Sequence, residues 1–177
     1  MPLIHTFTPE TAEGQVKEIY NQIESAFGSV PNAMQIYSSS PALLARQWQQ
    51  IGYYMQHPAL GFNLLAMMRM LISETTHCEY CVGFNEAMLI NMGGLSSEQI
   101  AATKKNPQDA PLSDKDKTML LFVLKATTAS STVDRADISA LKAQGWGDGD
   151  ILDGLSHGAY MLAGDTIFNA MKIEKDF

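Results

Sequence analysis

The stretch Ser73-Glu74-Thr75-Thr76-His77-Cys78-Glu79-Tyr80-Cys81 holds the only two cysteines of the chain, three residues apart. Thiols at this spacing near a helix start can close a disulfide that a reductant reopens, and one sulfur of such a pair tends toward a lowered pKa. Thr76-His77-Cys78-Glu79 reads as a capping box, with Thr76 as N-cap and Glu79 reaching back from the third helical position. Cys78 then lies in the first turn of a helix, where unpaired N–H groups and the positive end of the dipole favour a thiolate. Glu74 stands four residues before Cys78 and His77 four before Cys81, while Asn85 lies one turn beyond Cys81. Cys78, Cys81, Glu74, His77 and Asn85 are the candidate catalytic set, the raw material of a thiol and its proton relay.

Two plainer readings stand beside the redox one. Free cysteines are often inert core residues. Zinc is the other, but it wants four ligands, and His5, His57 and His157 are isolated in the sequence. Neither a metal nor a bound organic cofactor is expected. His157, with Tyr160 and Met161 on its face, reads as a hydrogen-bonded core residue or as a wall of the thiol pocket.

Outward from the cysteines the pattern is helical throughout. A helix opens at Thr8-Pro9-Glu10 and carries Val16, Ile19, Tyr20, Ile23 and Phe27 at spacings of three and four before Gly28 ends it. Val30-Pro31-Asn32 starts a short helical piece and Ser40-Pro41 a longer helix. After His57-Pro58 comes an almost wholly apolar helix over 59–75, expected to be buried within the chain or between subunits. Further helices are expected at about 77–92, 97–105, 114–129, 134–144 and 149–172. Thr127-Thr128-Ala129-Ser130-Ser131-Thr132 reads as a linker. Lys104-Lys105 reads as a helix C-terminus, and Gly145-x-Gly147-x-Gly149 as a turn.

The 177 residues fit one all-α domain over 1–177, with 46% hydrophobic and 18% charged residues. Twelve basic residues against nineteen acidic ones give a net charge of −7. That balance argues against nucleic acid as a partner. No apolar run approaches the roughly 20 residues of a membrane span, so no membrane partner is expected. Met1-Pro2-Leu3-Ile4-His5-Thr6 shows no secretory signal, and a cytoplasmic location is expected.

The motifs together resemble the carboxymuconolactone decarboxylase superfamily, in its branch of alkyl hydroperoxidase D and the peroxidase-related proteins. The resemblance is carried by Cys78-Glu79-Tyr80-Cys81 opening a helix and by the Gly93-Gly94-Leu95-Ser96 corner about a dozen residues later. Val30-Pro31-Asn32 ahead of Ser40-Pro41 and a long C-terminal helix add to it, over about residues 15–172. It implies an alkyl hydroperoxidase D-like helical bundle and an antioxidant peroxidase or thiol–disulfide oxidoreductase that cycles through a Cys78–Cys81 disulfide. It further implies a hydroperoxide substrate, a lipoyl or thioredoxin-like dithiol reductant and a homo-oligomer, trimer or hexamer.

The resemblance assigns attack to Cys81 and resolution to Cys78, whereas the helix dipole favours Cys78 as the thiolate. The family's relay glutamate and histidine fall at Ala66 and Asn85 in this chain, so Glu74 and His77 are expected to supply the relay instead. The decarboxylase branch lacks the cysteine pair, and lactone decarboxylation is not expected. The alternative is a non-enzymatic binding or scaffold protein with a residual thiol pair, or a zinc-binding module.

Overall fold

The computed structural model describes residues 2–176, and among them every regular element is a helix. The chain divides into two compact units. One holds the N-terminal part through His57 together with the residues from Ile167 onward, and the other holds Pro58–Thr166.

In the first unit, α1 (Gly14–Phe27), the short α2 (Asn32–Gln35) and α3 (Pro41–Met55) surround a core of Val16, Ile19, Tyr20, Ile23, Val30, Met34 and Leu44. The Tyr20 hydroxyl donates to the Phe7 carbonyl at 2.9 Å, so the one polar tip in this core is satisfied. α1 starts later than the Thr8-Pro9-Glu10 signal predicts. The amides of Thr11 and Ala12 donate to the Thr8 carbonyl in a local turn, and Gly14 takes φ +52°, which interrupts any helix running in from Thr8. At the other end Gly28, at φ +80°, ends α1 in a left-handed cap, as its position in the sequence predicts.

The second unit is built around α4 (Phe62–Thr75), which packs against α5 (Glu79–Asn91) and α7 (Asp114–Thr128). Leu64 to Met68 and Met70 to Ser73 are all buried. The apolar character of the 59–75 segment is therefore spent inside the chain. Each buried Leu, Ile or Met side chain is worth about 1.5–3 kcal/mol relative to exposure. α6 (Ser97–Lys105), α8 (Arg135–Ala143) and most of α9 (Asp148–Met171) complete the unit.

Both glycine corners have the expected left-handed turn, with φ +71° at Gly94 and +83° at Gly145. α7 runs to Thr128, and Ser130–Thr132 form a 3-10 turn, so most of the expected linker is helical. α9 lies close to its neighbours at Gly158. A Cβ there would stand 2.5 Å from Val123 Cγ1, 3.1 Å from Thr127 Cγ2 and 3.2 Å from Ile72 Cδ1. No helix of the described residues is long and apolar enough to cross a membrane.

Candidate functional site

The thiols sit where α4 hands over to α5, and the handover is not the capping box that the sequence predicts. α4 continues to Thr75 and Thr76 is its C-cap. The amide of His77 donates to the Glu74 carbonyl at 3.3 Å and that of Cys78 to the Ser73 carbonyl at 3.0 Å. This is a Schellman ending, with His77 at φ +55° in the place that glycine usually takes. A left-handed non-glycine residue costs about 1–2 kcal/mol. Cys78 is consequently the N-cap of α5, with no side-chain cap on the helix, and Cys81 is at its third position.

Both thiols are free and buried, at 1% and 3% exposure. Their sulfurs and a carboxylate oxygen of Asp165, from α9, all lie within 4.8 Å of one another. Asp165 is fully buried and held by two hydroxyls from the α4 end. Ser73 Oγ donates to its Oδ1 at 2.9 Å, and Thr76 Oγ1 to its Oδ2 at 2.7 Å. Thr76 is thus drawn to the carboxylate on α9, which is the physical reason it does not cap α5.

The two sulfurs are unlike. The Cys81 thiol hydrogen-bonds to Cys78 and is the main cause that lowers the Cys78 pKa below its ordinary value. The Cys81 backbone acts the same way, while burial and Asp165 oppose it. The same hydrogen bond, then burial, then Asp165 push the Cys81 thiol up. Of the two sulfurs Cys78 is therefore the more readily ionised, and Cys81 is held as the thiol.

Of the other expected site residues, Glu74 and His77 are exposed, whereas Asn85 hydrogen-bonds the backbone of Cys81. Glu74 is exposed and pairs with Lys104 at 2.6 Å, and Lys104 also reaches Glu86 at 2.7 Å. The carboxylate beside the thiols is Asp165 and not Glu74. His77 is exposed, on the segment leading into Cys78. Asn85 is buried, its Nδ2 donating to the Cys81 carbonyl at 2.8 Å and its Oδ1 accepting from Arg69 Nε at 2.7 Å. Ala66 is buried on α4.

His157 Nε2 lies 3.3 Å from Arg69 Nη1, and burial, with the Arg69 charge, lowers its pKa to about 3. It faces this polar group, while Tyr160 is 55% exposed and does not share its buried face. Asp165, Ser73 and Arg69 were missed by sequence reasoning. Asp165 is the only charged residue between Asp153 and Lys172, and Arg69 the only one between Arg46 and Glu74. A lone charge inside an apolar helix was the available signal.

Cys78, Cys81 and Asp165 are also the donors closest to a metal site among the described residues. They supply three ligands, one fewer than a structural zinc site uses, and both Asp165 oxygens already accept hydroxyl hydrogen bonds.

The structure is similar to solved proteins over nearly its whole length. An alkylhydroperoxidase AhpD core, an uncharacterized peroxidase-related protein from Ralstonia eutropha JMP134, matches at TM-score 0.85 and 20% identity. That match covers 99% of this chain and 92% of the other. An uncharacterized peroxidase-related protein from Silicibacter sp. TM1040 matches at TM-score 0.79 and 22% identity, over 90% of this chain and 84% of the other. The debrominase Bmp8 matches at TM-score 0.78 and 14% identity, over 98% and 92%. No protein-family model matches the chain, and no curated protein matches it. The class that fold and motif define is all-helical and AhpD-like, with a Cys-x-x-Cys pair. Neighbours with this fold include peroxidase-related proteins and a debrominase.

Proposed function

We propose that the protein is a thiol-dependent oxidoreductase that reduces hydroperoxides through a reversible Cys78–Cys81 disulfide. The observation that carries this reading is the buried carboxylate of Asp165 beside two unequal free thiols, within 4.8 Å. Cys78, the sulfur with the lowered pKa, attacks the terminal oxygen of the hydroperoxide. The O–O bond breaks, Cys78 becomes a sulfenic acid, and the alkoxide takes from water a proton equivalent to the one Cys78 released on ionising and leaves as an alcohol.

Asp165 then takes the Cys81 proton, the Cys81 sulfur attacks the Cys78 sulfur, and the departing hydroxide receives that proton as water. An external dithiol reduces the disulfide and is itself oxidised to a disulfide, which restores both thiols. Asp165 fills the role expected of Glu74, and attack by Cys78 reverses the order that the family resemblance implies.

Burial of both sulfurs favours a small hydroperoxide over exchange with a protein disulfide. It likewise favours a reductant on a thin arm, such as a lipoyl group, over the broad face of a thioredoxin-like protein. A cytoplasmic setting supplies such dithiols. A homo-oligomer, trimer or hexamer, is the assembly we propose.

The test is to count thiols before and after one equivalent of ethyl hydroperoxide, and again after dihydrolipoamide. Two thiols per chain are expected to disappear and return. In Cys81→Ser a sulfenic acid trapped by dimedone is expected on Cys78, and in Cys78→Ser none. Sulfenate on Cys81 in Cys78→Ser would restore the family order, and thiols that survive peroxide unchanged would end the redox reading.

A further inference from the structure

One helical turn from the thiols lies a second polar layer that the redox cycle does not use. α4 carries Arg69 four residues before Ser73, and α5 carries Asn85 four residues after Cys81. At a rise of about 1.5 Å per residue, each step is about 6 Å along its helix. α9 contributes His157 to this layer and Asp165 to the thiol layer.

Arg69 is the unusual member. Its Nε donates to Asn85 and its Nη1 meets His157, and among the described residues no carboxylate pairs with it. Burial lowers its pKa to about 10, so it keeps its charge at neutral pH. His157, with its pKa at about 3, is neutral there, and the layer carries a single positive charge.

A cation withdrawn from water without a counter-ion is costly, and folded proteins normally pair one. Nη2 makes no hydrogen bond within the described protein. Arg69 is half-buried and not enclosed. The guanidinium is therefore fixed along one edge by Asn85 and His157, which leaves Nη2 and the second N–H of Nη1 without a protein partner among the described residues. That fork matches the two oxygens of a carboxylate. One net charge suits a monoanion, and a phosphate dianion would call for more than one cation.

We propose that Arg69, oriented by Asn85 and His157, is an anion-binding subsite that takes the carboxylate of an organic substrate whose reactive group lies at the Cys78–Cys81 pair. The proposal rests on the redox reading for the substrate's fate, but the anion site itself is testable without turnover.

Benzoate is titrated into the reduced native protein by calorimetry while the Arg69 Nε–H resonance is followed by NMR. Saturable binding with a shift of that resonance is expected, together with at least tenfold weaker binding in Arg69→Gln and an intermediate loss in Arg69→Lys. Unchanged affinity in Arg69→Gln, or binding that leaves the Arg69 resonance in place, would overturn the subsite. If Arg69→Gln does not fold, the native resonance decides alone.

Peroxidase assays then compare a carboxylate-bearing hydroperoxide with its methyl ester. A preference for the acid in KM that falls toward unity in Arg69→Lys supports the substrate assignment. Equal KM values for acid and ester in the native protein would overturn it. Absence of any turnover beside normal benzoate binding would end the redox reading and leave the anion site standing.

Discussion

Two consecutive helices of the second unit begin in opposite ways. α6 starts with a complete capping box, in which Ser96 Oγ accepts from the Gln99 amide at 3.3 Å and Gln99 Oε1 accepts from the Ser96 amide at 2.9 Å. α5 starts at Cys78 with no side-chain cap, directly after a left-handed histidine. The sequence offers both starts the same pattern, Ser96-x-x-Gln99 and Thr76-x-x-Glu79. At α6 the hydroxyl serves the helix it precedes. At α5 it serves Asp165, four helices further along the chain on α9, and a cysteine takes the N-cap position. A cap is given up where a buried carboxylate competes for the same hydroxyl.

The largest effect expected from breaking this contrast comes from Asp165→Asn, which keeps the shape but removes the proton acceptor. Peroxide-driven disulfide formation is expected to slow by about 100-fold or more, the scale of a positioned general base. Stopped-flow thiol oxidation measures it, and a rate within threefold of the native protein would remove Asp165 from the relay.

Acid should next separate the two helices. In an unfolded chain His157 titrates near about 6.5, whereas in the fold its pKa is about 3. Above the unfolded value both states are neutral and nothing is contributed. As pH falls below it, the unfolded chain binds a proton that the fold refuses, and stability declines by about 1.4 kcal/mol per pH unit. The decline ends near the folded pKa. Hydrogen exchange at pH 7, 5 and 4 is expected to show the α5 amides, tied to this layer through Asn85, loosening before those of α6. His157→Gln is expected to flatten the decline, and equal loosening of both helices would deny the link.

The smaller effects compare the hydroxyls themselves. Thr76→Val leaves a buried carboxylate oxygen short of a donor and is expected to cost about 1–3 kcal/mol. It should also slow peroxide oxidation several-fold. Ser96→Ala removes an ordinary cap and is expected to cost about 1 kcal/mol with the oxidation rate unchanged. Urea unfolding of the pair measures both, and a rate loss in Ser96→Ala would erase the distinction between the two starts.

Most of the fold was legible because the helices announce themselves locally. Ser97–Lys105 coincides with its expected range, Gly28 and the Ser40-Pro41 start sit where expected, apolar spacing marks α1, and an almost wholly apolar run marks α4. The cysteine pair was equally plain. What stayed hidden was non-local or disguised. His77 occupies a position where glycine normally signals a helix end, so the end of α4 passed for the beginning of α5. Asp165 reaches the thiols from 84 residues beyond Cys81, and no periodicity within one helix shows which charge a distant helix will deliver. Glu74, adjacent in sequence, instead found Lys104 at the surface.

The close approach of α9 at Gly158 acts as a gauge block for the chemistry seven residues further along the same rod. A single added carbon there has no slack to enter, since Val123 would stand 2.5 Å away. Because α9 is stiff, any displacement at that point is transmitted to Asp165 as a change in its reach toward the sulfurs. The glycine of α9 that fits most tightly against α7 and α4 thus sets the tolerance to which the carboxylate is fitted, and Gly158 offers a way to detune the thiols without touching them.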